Sequence, residues 1–215
     1  MLYNTPMDKI GTLECLVVEP PETRSTLILM HGRGTSPDDL APMAQRLPEG
    51  MAAILPQAPF PFPPEMPFGR AWYGMPPEQE EAVRESAGYL KELLDAVTEQ
   101  DPAKAERVVL GGFSQGGVMA LDVGLTYRPR LAGVVCMSGY LFPASTLPSS
   151  SSDAPPVCIT HGREDEVVDV QRARKSRQAL EEQGIASEYA EFDIPHTISE
   201  ESWAFVSNFL QRVLR

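Results

Sequence analysis

A serine between two glycines is the residue of this chain best placed to do chemistry. Gly112-Phe113-Ser114-Gln115-Gly116 follows the apolar run 108–110 and precedes the apolar segment 118–121. This spacing is typical of a sharp turn from a strand into a helix, which exposes the serine hydroxyl and points helix amides towards developing negative charge. The pattern predicts Ser114 as a nucleophile, and the competing interpretation is a glycine-rich turn without catalytic function.

A serine hydroxyl needs a base within hydrogen-bond distance, and the chain contains three histidines. His31 and His161 each end a strand-like run and precede a glycine, which favours a role in shaping a loop. His196 lies in a late loop before the last helical pattern. Where the nucleophile lies in a strand–turn–helix of this kind, the acid and then the base follow it in the chain. We therefore predict His196 as the base, with an idle surface histidine as the alternative.

The acid that orients the histidine is expected after a strand that lies between Ser114 and His196 in the sequence. The run 157–160 leads into a polar loop, and we choose Asp165 from it. Its carboxylate would hold the imidazole in the correct tautomer and stabilise the imidazolium. Four other acidic residues stay open as alternatives, the last of which we expect on the wrong side of the histidine loop: Glu164, Glu166, Asp169 and Asp193.

Acyl transfer also requires amide donors at the place where the carbonyl oxygen becomes an anion. The backbone amide of Gln115, directly after the nucleophile, is one candidate. The loop His31-Gly32-Arg33-Gly34 follows an early strand and offers a second, the amide of Arg33. The Arg33 side chain could pair with an acid or contact substrate, and we expect the pairing with an acid.

Residues 56–77 mix prolines with aromatic and methionine side chains. The segment is too irregular for a helix and too apolar for a plain linker, so we expect it to fold over another part of the molecule. Sites for ester groups are apolar, and the predicted substrate contacts are Phe68, Trp72, Tyr73 and Met75. The alternative is a loop that caps the sheet edge without touching substrate.

Short apolar runs alternate with helical patterns along the rest of the chain. Continuous apolar runs suit strands that are buried on both faces, and they occur at residues 27–30, 52–55, 108–110, 131–136 and 157–160. Apolar stripes at helical spacing predict helices over 83–97 and 203–213. The alternation predicts an α/β protein with a mostly parallel central sheet and helices on both faces.

Three local features complete the predicted elements. Residues 12–18 are expected to form an antiparallel edge strand. Ser36 and Pro37 are typical of the start of a helix that Pro42 would bend or delay. Residues 143–156 have the composition of a solvated loop.

Composition narrows the classes of function that the chain can have. With 215 residues, 42% of them hydrophobic, one domain spanning 1–215 is expected. The net charge of −12 opposes binding to nucleic acid, and no apolar run is long enough to insert stably into a membrane. Without a signal-peptide pattern at the start, we expect a cytoplasmic protein. The histidine and cysteine spacings predict no metal, no cofactor and three free, buried thiols.

Five segments together resemble the phospholipase/carboxylesterase family of α/β-hydrolases, which is similar to acyl-protein thioesterases and small bacterial carboxylesterases. They are Met30-His31-Gly32-Arg33-Gly34, Ala71-Trp72-Tyr73, Gly111-Gly112-Phe113-Ser114-Gln115-Gly116-Gly117, His161-Gly162-Arg163-Glu164-Asp165-Glu166-Val167-Val168 and Pro195-His196-Thr197-Ile198. The resemblance implies a single-domain α/β-hydrolase with the triad Ser114, Asp165 and His196. Two departures from the family pattern, Gly74 and Pro195, bear on substrate preference. Dienelactone hydrolases look similar but carry cysteine at the position of Ser114.

The first hypothesis for function is a carboxylesterase-type serine hydrolase that cleaves esters of short to medium acyl chain through an acyl-serine intermediate. The alternatives are an acyl-protein thioesterase and a lysophospholipase-like activity. A more distant hypothesis is a non-catalytic ligand-binding protein, which should have lost a residue of the triad. The expected partner is a small ester or thioester, and we also consider a homodimer.

Overall fold

The computed structural model describes residues 7–62, 68–74 and 79–214, in which strands and helices alternate. The strands are β1 (Asp8–Ile10), β2 (Leu13–Val18), β3 (Ser25–Met30), β4 (Met51–Pro56), β5 (Phe60–Pro61), β6 (Arg70–Ala71), β7 (Val108–Phe113), β8 (Gly133–Met137), β9 (Val157–Gly162) and β10 (Ser187–Phe192). The α-helices are α1 (Ala41–Ala44), α2 (Gln79–Thr98), α3 (Pro102–Ala105), α4 (Gln115–Gly124), α5 (Val170–Glu182) and α6 (Glu200–Val213).

An eight-stranded sheet in the order β1-β2-β4-β3-β7-β8-β9-β10 organises the fold. The six strands from β4 to β10 in that order are parallel to their neighbours, while β1 and β2 are antiparallel. Every residue of β4, β8 and β9 is buried, which explains why these strands are continuous apolar runs in the sequence. The predicted mostly parallel sheet is confirmed.

Helices cover both faces of this sheet. On one face α2, α4 and α5 bury residues such as Leu90, Met119 and Leu180 in one core cluster. On the other face α1 and α6 bury residues such as Ala44 and Phe209 in a second cluster. The predicted helices on both faces of a mostly parallel sheet are confirmed. No helix among the described residues is both long enough and apolar enough to cross a membrane.

Three local predictions need correction. The antiparallel strand β2 is not at the edge, because β1 pairs along its outer side. The Ser36 side chain makes no capping hydrogen bond, and the chain forms only a 3₁₀ turn at Pro37–Asp39 before the single turn α1. Helix α5 lies where no helix was predicted, because its buried positions, Ala173, Ser176 and Leu180, form a weak apolar stripe.

Candidate active site

The side chains singled out in the sequence meet at one edge of the parallel strands. Ser114 follows β7, Asp165 comes three residues after β9, and His196 comes four residues after β10. All three strands are parallel, so their carboxyl ends lie at the same edge. Ligands of open α/β sheets bind outside the carboxyl ends of the strands, which makes this edge the candidate active site.

Ser114 occupies a strained turn that its glycines make possible. Its backbone has φ 55° and ψ −118°, in the region where side chains are uncommon. A Cβ on Gly112 would lie 2.2 Å from the carbonyl carbon of Gly116, and one on Gly116 would lie 2.2 Å from the oxygen of Met30. The Ser114 amide also donates to the carbonyl of Met137 at 2.8 Å. The strand, turn and helix therefore fix the position of the hydroxyl.

Serine, histidine and aspartate form a continuous chain of hydrogen bonds. Ser114 Oγ lies 2.9 Å from His196 Nε2, and His196 Nδ1 lies 2.6 Å from Asp165 Oδ2. The Phe113 ring packs against the imidazole, with 4.8 Å between the two ring centroids. The distances and the order of the groups match those of a Ser-His-Asp triad. Sequence reasoning did not find the contact that Phe113 makes.

The Asp165 carboxylate is buried and accepts hydrogen bonds from three donors. Oδ1 accepts the amides of Val167 at 2.9 Å and Val168 at 2.8 Å. Oδ2 faces His196, and His161 Nε2 also lies 3.3 Å from it. These contacts leave the carboxylate one orientation, with Oδ2 towards the imidazole. Sequence reasoning did not assign this second contact to His161, which lies four residues before Asp165.

The other acidic candidates are occupied elsewhere. Asp193 forms an ion pair with Arg163 at 2.5 Å. Asp169 caps α5 and accepts the amide of Gln171 at 2.8 Å. Glu164 and Glu166 are exposed. Of the five acids that the sequence left open, the structure brings Asp165 to His196.

The other two histidines hold loops in place. His31 Nε2 accepts the amide of Ala58 at 3.1 Å, and its Nδ1 lies 2.7 Å from the carbonyl of Gly32. Burial lowers the pKa of His31 to about 4, so this ring is neutral at neutral pH with its proton on Nδ1. His161 Nε2 lies 2.7 Å from the carbonyl of Val168. Both rings have the loop-shaping contacts that their positions predicted.

A hairpin clamps the loop that carries Arg33. The Gly34 amide donates to the Arg70 carbonyl at 2.7 Å, and the Arg70 amide donates to the Thr35 carbonyl at 2.9 Å. The hairpin of β5 and β6 thus extends along this loop. The expectation that the Arg33 side chain pairs with an acid is wrong for the described residues: its guanidinium carbon lies 5.0 Å from the centroid of the Phe62 ring.

Two aromatic residues expected to line the substrate site are buried instead. Trp72 has 0% and Tyr73 4% of its surface exposed. The Trp72 indole donates to the carbonyl of His31 at 2.9 Å, so the ring points into the core. The prediction that these two side chains contact substrate is therefore wrong. Phe68 is 80% exposed and stays a predicted contact, while Met75 lies outside the described residues.

The side chain of Gln115 joins the nucleophile turn to the aromatic segment. The Trp72 amide donates to Gln115 Oε1 at 3.0 Å, and Gln115 Nε2 donates to the Tyr73 carbonyl at 2.8 Å. Through its indole, Trp72 also holds the loop that contains Arg33. The two loops expected to supply oxyanion donors are therefore fixed relative to each other by one network. Periodicity cannot reveal such contacts in an irregular segment.

Gln115→Glu is expected to make activity depend on pH in a new way. A protonated glutamic acid can accept from the Trp72 amide and donate to the Tyr73 carbonyl, whereas a glutamate repels that carbonyl. Burial raises the pKa of such a carboxyl, so the contact is present below this pKa and is lost as the pH rises through it. We expect kcat relative to wild type to fall as the pH rises, by up to about 100-fold, because misplaced catalytic groups cost on this scale. Rates with a chromogenic ester between pH 5 and 9 measure this ratio.

Gln115→Met is the matched control, because methionine has a similar length and does not titrate. Its kcat relative to wild type should be lowered and independent of pH. A ratio for Gln115→Glu that is equally flat would contradict a positioning role for the Gln115 side chain.

The three cysteines offer no competing nucleophile. Cys15, Cys136 and Cys158 are buried and free, as predicted. Burial raises the pKa of Cys15 and Cys136 to about 12 and raises that of Cys158 as well. A thiol reacts as its thiolate, so all three are inert at neutral pH.

A cavity of about 350 Å³ opens between the loop after β8 and helix α5. We call it the α5 cavity, and the residues that define it are Tyr140, Leu141, Phe142, Leu147, Arg172 and Lys175. Its loop leaves the strand that lies between β7, which carries Ser114, and β9, which carries Asp165. The loop after β8 and helix α5, which follows Asp165 in the chain, therefore both start at the edge of the sheet that carries the candidate triad.

An α/β-hydrolase sheet with serine, histidine and aspartate in contact at its carboxyl edge defines the class of serine hydrolases. The model of the Phospholipase/Carboxylesterase family matches residues 13–214. The chain belongs to this family. The prediction that the protein is a serine hydrolase of the carboxylesterase type is confirmed by this family membership.

Relatives and solved structures agree with this assignment. Acyl-protein thioesterase 1 of Schizosaccharomyces pombe is 34% identical over 171 residues, which cover 73% of this chain and 75% of that protein. The crystal structure of esterase PE8 matches with a TM-score of 0.77 and 26% identity, covering 94% of this chain and 99% of the esterase. The Bacillus cereus carboxylesterase shares the fold with a TM-score of 0.80 at 16% identity, covering 94% and 95% of the two chains.

Proposed function

We propose that the protein hydrolyses carboxylic esters of short to medium acyl chain through an acyl-enzyme intermediate on Ser114. The observation that carries the proposal is the chain of contacts from Ser114 Oγ to His196 at 2.9 Å and from His196 to Asp165 at 2.6 Å. Because the three groups lie within hydrogen-bond distance of one another, proton transfer needs little reorganisation.

The proposed reaction begins when His196 Nε2 takes the proton of Ser114 as Oγ attacks the ester carbonyl. The carbonyl oxygen becomes an anion, which the amides of Arg33 and Gln115 stabilise. His196 then gives its proton to the leaving alcohol oxygen as the carbon–oxygen bond breaks, which leaves an acyl-serine. Water repeats the sequence with His196 again as base, releases the acid and restores Ser114. Asp165 holds the imidazole throughout and stabilises its cation.

The size of the α5 cavity supports a short to medium chain. Its volume of about 350 Å³ is close to the lower end of the range for ligand pockets, which is about 300–1,000 Å³. A sixteen-carbon chain would leave much of its apolar surface in water, and each methylene left unburied forgoes about 0.8 kcal/mol.

A panel of p-nitrophenyl esters from acetate to palmitate tests the proposal. We expect kcat/KM to be highest between acetate and octanoate and at least about tenfold lower for palmitate, because the binding energy of the extra methylenes is not recovered. Monomeric substrate concentrations, below the onset of micelles, are needed for the longer esters. Rates that rise steadily to palmitate would contradict the proposed chain length.

An acyl-protein thioesterase is the second candidate, and the relative named acyl-protein thioesterase 1 favours it. The same nucleophile and base serve a thioester, because only the leaving group differs. An S-palmitoylated peptide and the matching O-acyl peptide, measured beside the p-nitrophenyl panel, separate the two candidates. A preference of tenfold or more for the palmitoyl thioester over the short esters would replace the first proposal by the second.

A further inference from the structure

The α5 cavity carries two positive charges that no carboxylate among the described residues neutralises. Helix α5 has four basic residues, and two of them form ion pairs away from the cavity, Arg174 with Glu191 and Arg177 with Glu181. Arg172 and Lys175 line the cavity and form no ion pair or side-chain hydrogen bond with any described residue. Acidic residues outnumber basic ones by 30 to 18 in this chain. Two cations that lie beside a cavity without acidic partners therefore indicate a site for an anionic ligand.

Arg172 is held in an orientation that suits an anion. Its guanidinium carbon lies 3.2 Å from the centroid of the Tyr140 ring, so the flat face of the guanidinium rests on the ring. Tyr140 is buried, so its neighbours hold the ring in place. Stacking uses the face of a guanidinium and leaves its N–H edge free for two parallel hydrogen bonds to a carboxylate.

Apart from Ser145 and Ser176, the remaining wall of the cavity is apolar. Leu141, Phe142 and Leu147 supply it, and the Leu141 amide is already satisfied by Ser176 Oγ at 2.8 Å. Asp122, a carboxylate close to this loop, accepts a hydrogen bond from Ser145 and pairs with neither cation. A ligand that fits has an apolar stem and one compact anionic head.

We propose that the preferred substrates are esters that carry a carboxylate at the end remote from the scissile bond, with the stem in the α5 cavity and the carboxylate on Arg172 and Lys175. This inference rests on the proposed function of Ser114. The two cations lie on α5, which follows β9, and strands lie about 4.8 Å apart, so a substrate on Ser114 at the end of β7 must extend on the order of 10 Å to reach them. A dicarboxylic acid of medium length, esterified at one end, spans this distance.

The mono-p-nitrophenyl ester of suberic acid, an eight-carbon dicarboxylic acid, is the test substrate. Its neutral match is the same compound with a methyl ester on the second carboxyl. We expect wild type to favour the anionic ester, and Arg172→Gln to lower the ratio of kcat/KM between the two esters about tenfold, since hydrogen bonds to a charged group are worth more than neutral ones. The change should be in KM, because the remote contact is equal in ground and transition states.

Arg177→Gln is the matched control, because it removes the same charge from the same helix on a face that does not line the cavity. It should leave the ratio unchanged, and melting curves that match those of wild type show that Arg172→Gln is folded. Lys175→Gln should lower the ratio in the same direction as Arg172→Gln.

A second pair of substrates carries the charge on the alcohol side, 4-(butyryloxy)benzoate and its neutral methyl ester. A preference that depends on Arg172 in this pair also supports the proposal and assigns the cavity to the alcohol group. If Arg172→Gln changes the ratio in neither pair while wild type hydrolyses the neutral esters, the proposal is overturned and the proposed function stands. If wild type hydrolyses no ester faster than Ser114→Ala, both are wrong.

Discussion

Ser114→Ala is expected to lower kcat for p-nitrophenyl butyrate by about a millionfold, the loss typical when a triad nucleophile is removed. The hydroxyl oxygen that lies 2.9 Å from His196 Nε2 disappears, and alanine supplies no atom that can form the acyl intermediate. The fold should survive, because alanine accepts the φ of 55° as well as serine does and the removed atom is small. A residual rate above that of water should remain, since the amides and the bound geometry still act.

Covalent labelling with a fluorophosphonate gives an independent measurement of the same residue. Wild type should take up one label per chain, located on the peptide that contains Ser114, and Ser114→Ala should take up none. Ser149→Ala is the matched control, because Ser149 is an exposed serine in the loop before β9, and it should keep both rate and label. A rate for Ser114→Ala within tenfold of wild type, or a label on that variant, would disprove the assigned nucleophile.

The sequence predicts the parts of the molecule where one physical rule dominates. Strands buried on both faces must be apolar throughout, so β4, β7, β8 and β9 were found near their true positions. A sharp turn with two close backbone approaches admits only glycine, so Gly112 and Gly116 located the turn at Ser114. The acid was less certain, since several carboxylates share one loop and only three-dimensional contact selects Asp165.

Features that depend on tertiary contacts could not be predicted. The sequence does not predict helix α5, because the face that it buries carries mostly small residues and its other face is charged. In the irregular aromatic segment no period distinguishes inward from outward positions, so the sequence cannot separate the buried Trp72 from a substrate contact. The stacking of Arg33 on Phe62 and of Arg172 on Tyr140 joins residues far apart in the chain, which one sequence does not reveal.

Asp165→Asn is expected to lower kcat about 10,000-fold, the loss seen when an asparagine imposes the wrong histidine tautomer in such a triad. Oδ1 accepts the amides of Val167 and Val168, so the carbonyl oxygen of the asparagine must take this place. Its NH₂ group then faces His196 Nδ1 and requires that atom to accept. The imidazole proton moves to Nε2, which can no longer take the proton of Ser114.

Nitrogen NMR of ¹⁵N-labelled histidine distinguishes this mechanism from a general loss of structure. We expect the neutral His196 to carry its proton on Nδ1 in wild type and on Nε2 in Asp165→Asn, with melting curves that show a folded variant. Asp193→Asn is the matched control: its carboxylate is close to His196 in sequence but pairs with Arg163, so its kcat should stay within about twofold of wild type. A 10,000-fold loss in Asp193→Asn, or an active Asp165→Asn with Nδ1 still protonated, would assign the orienting role to a different acid, because only the carboxylate that accepts from Nδ1 determines the tautomer.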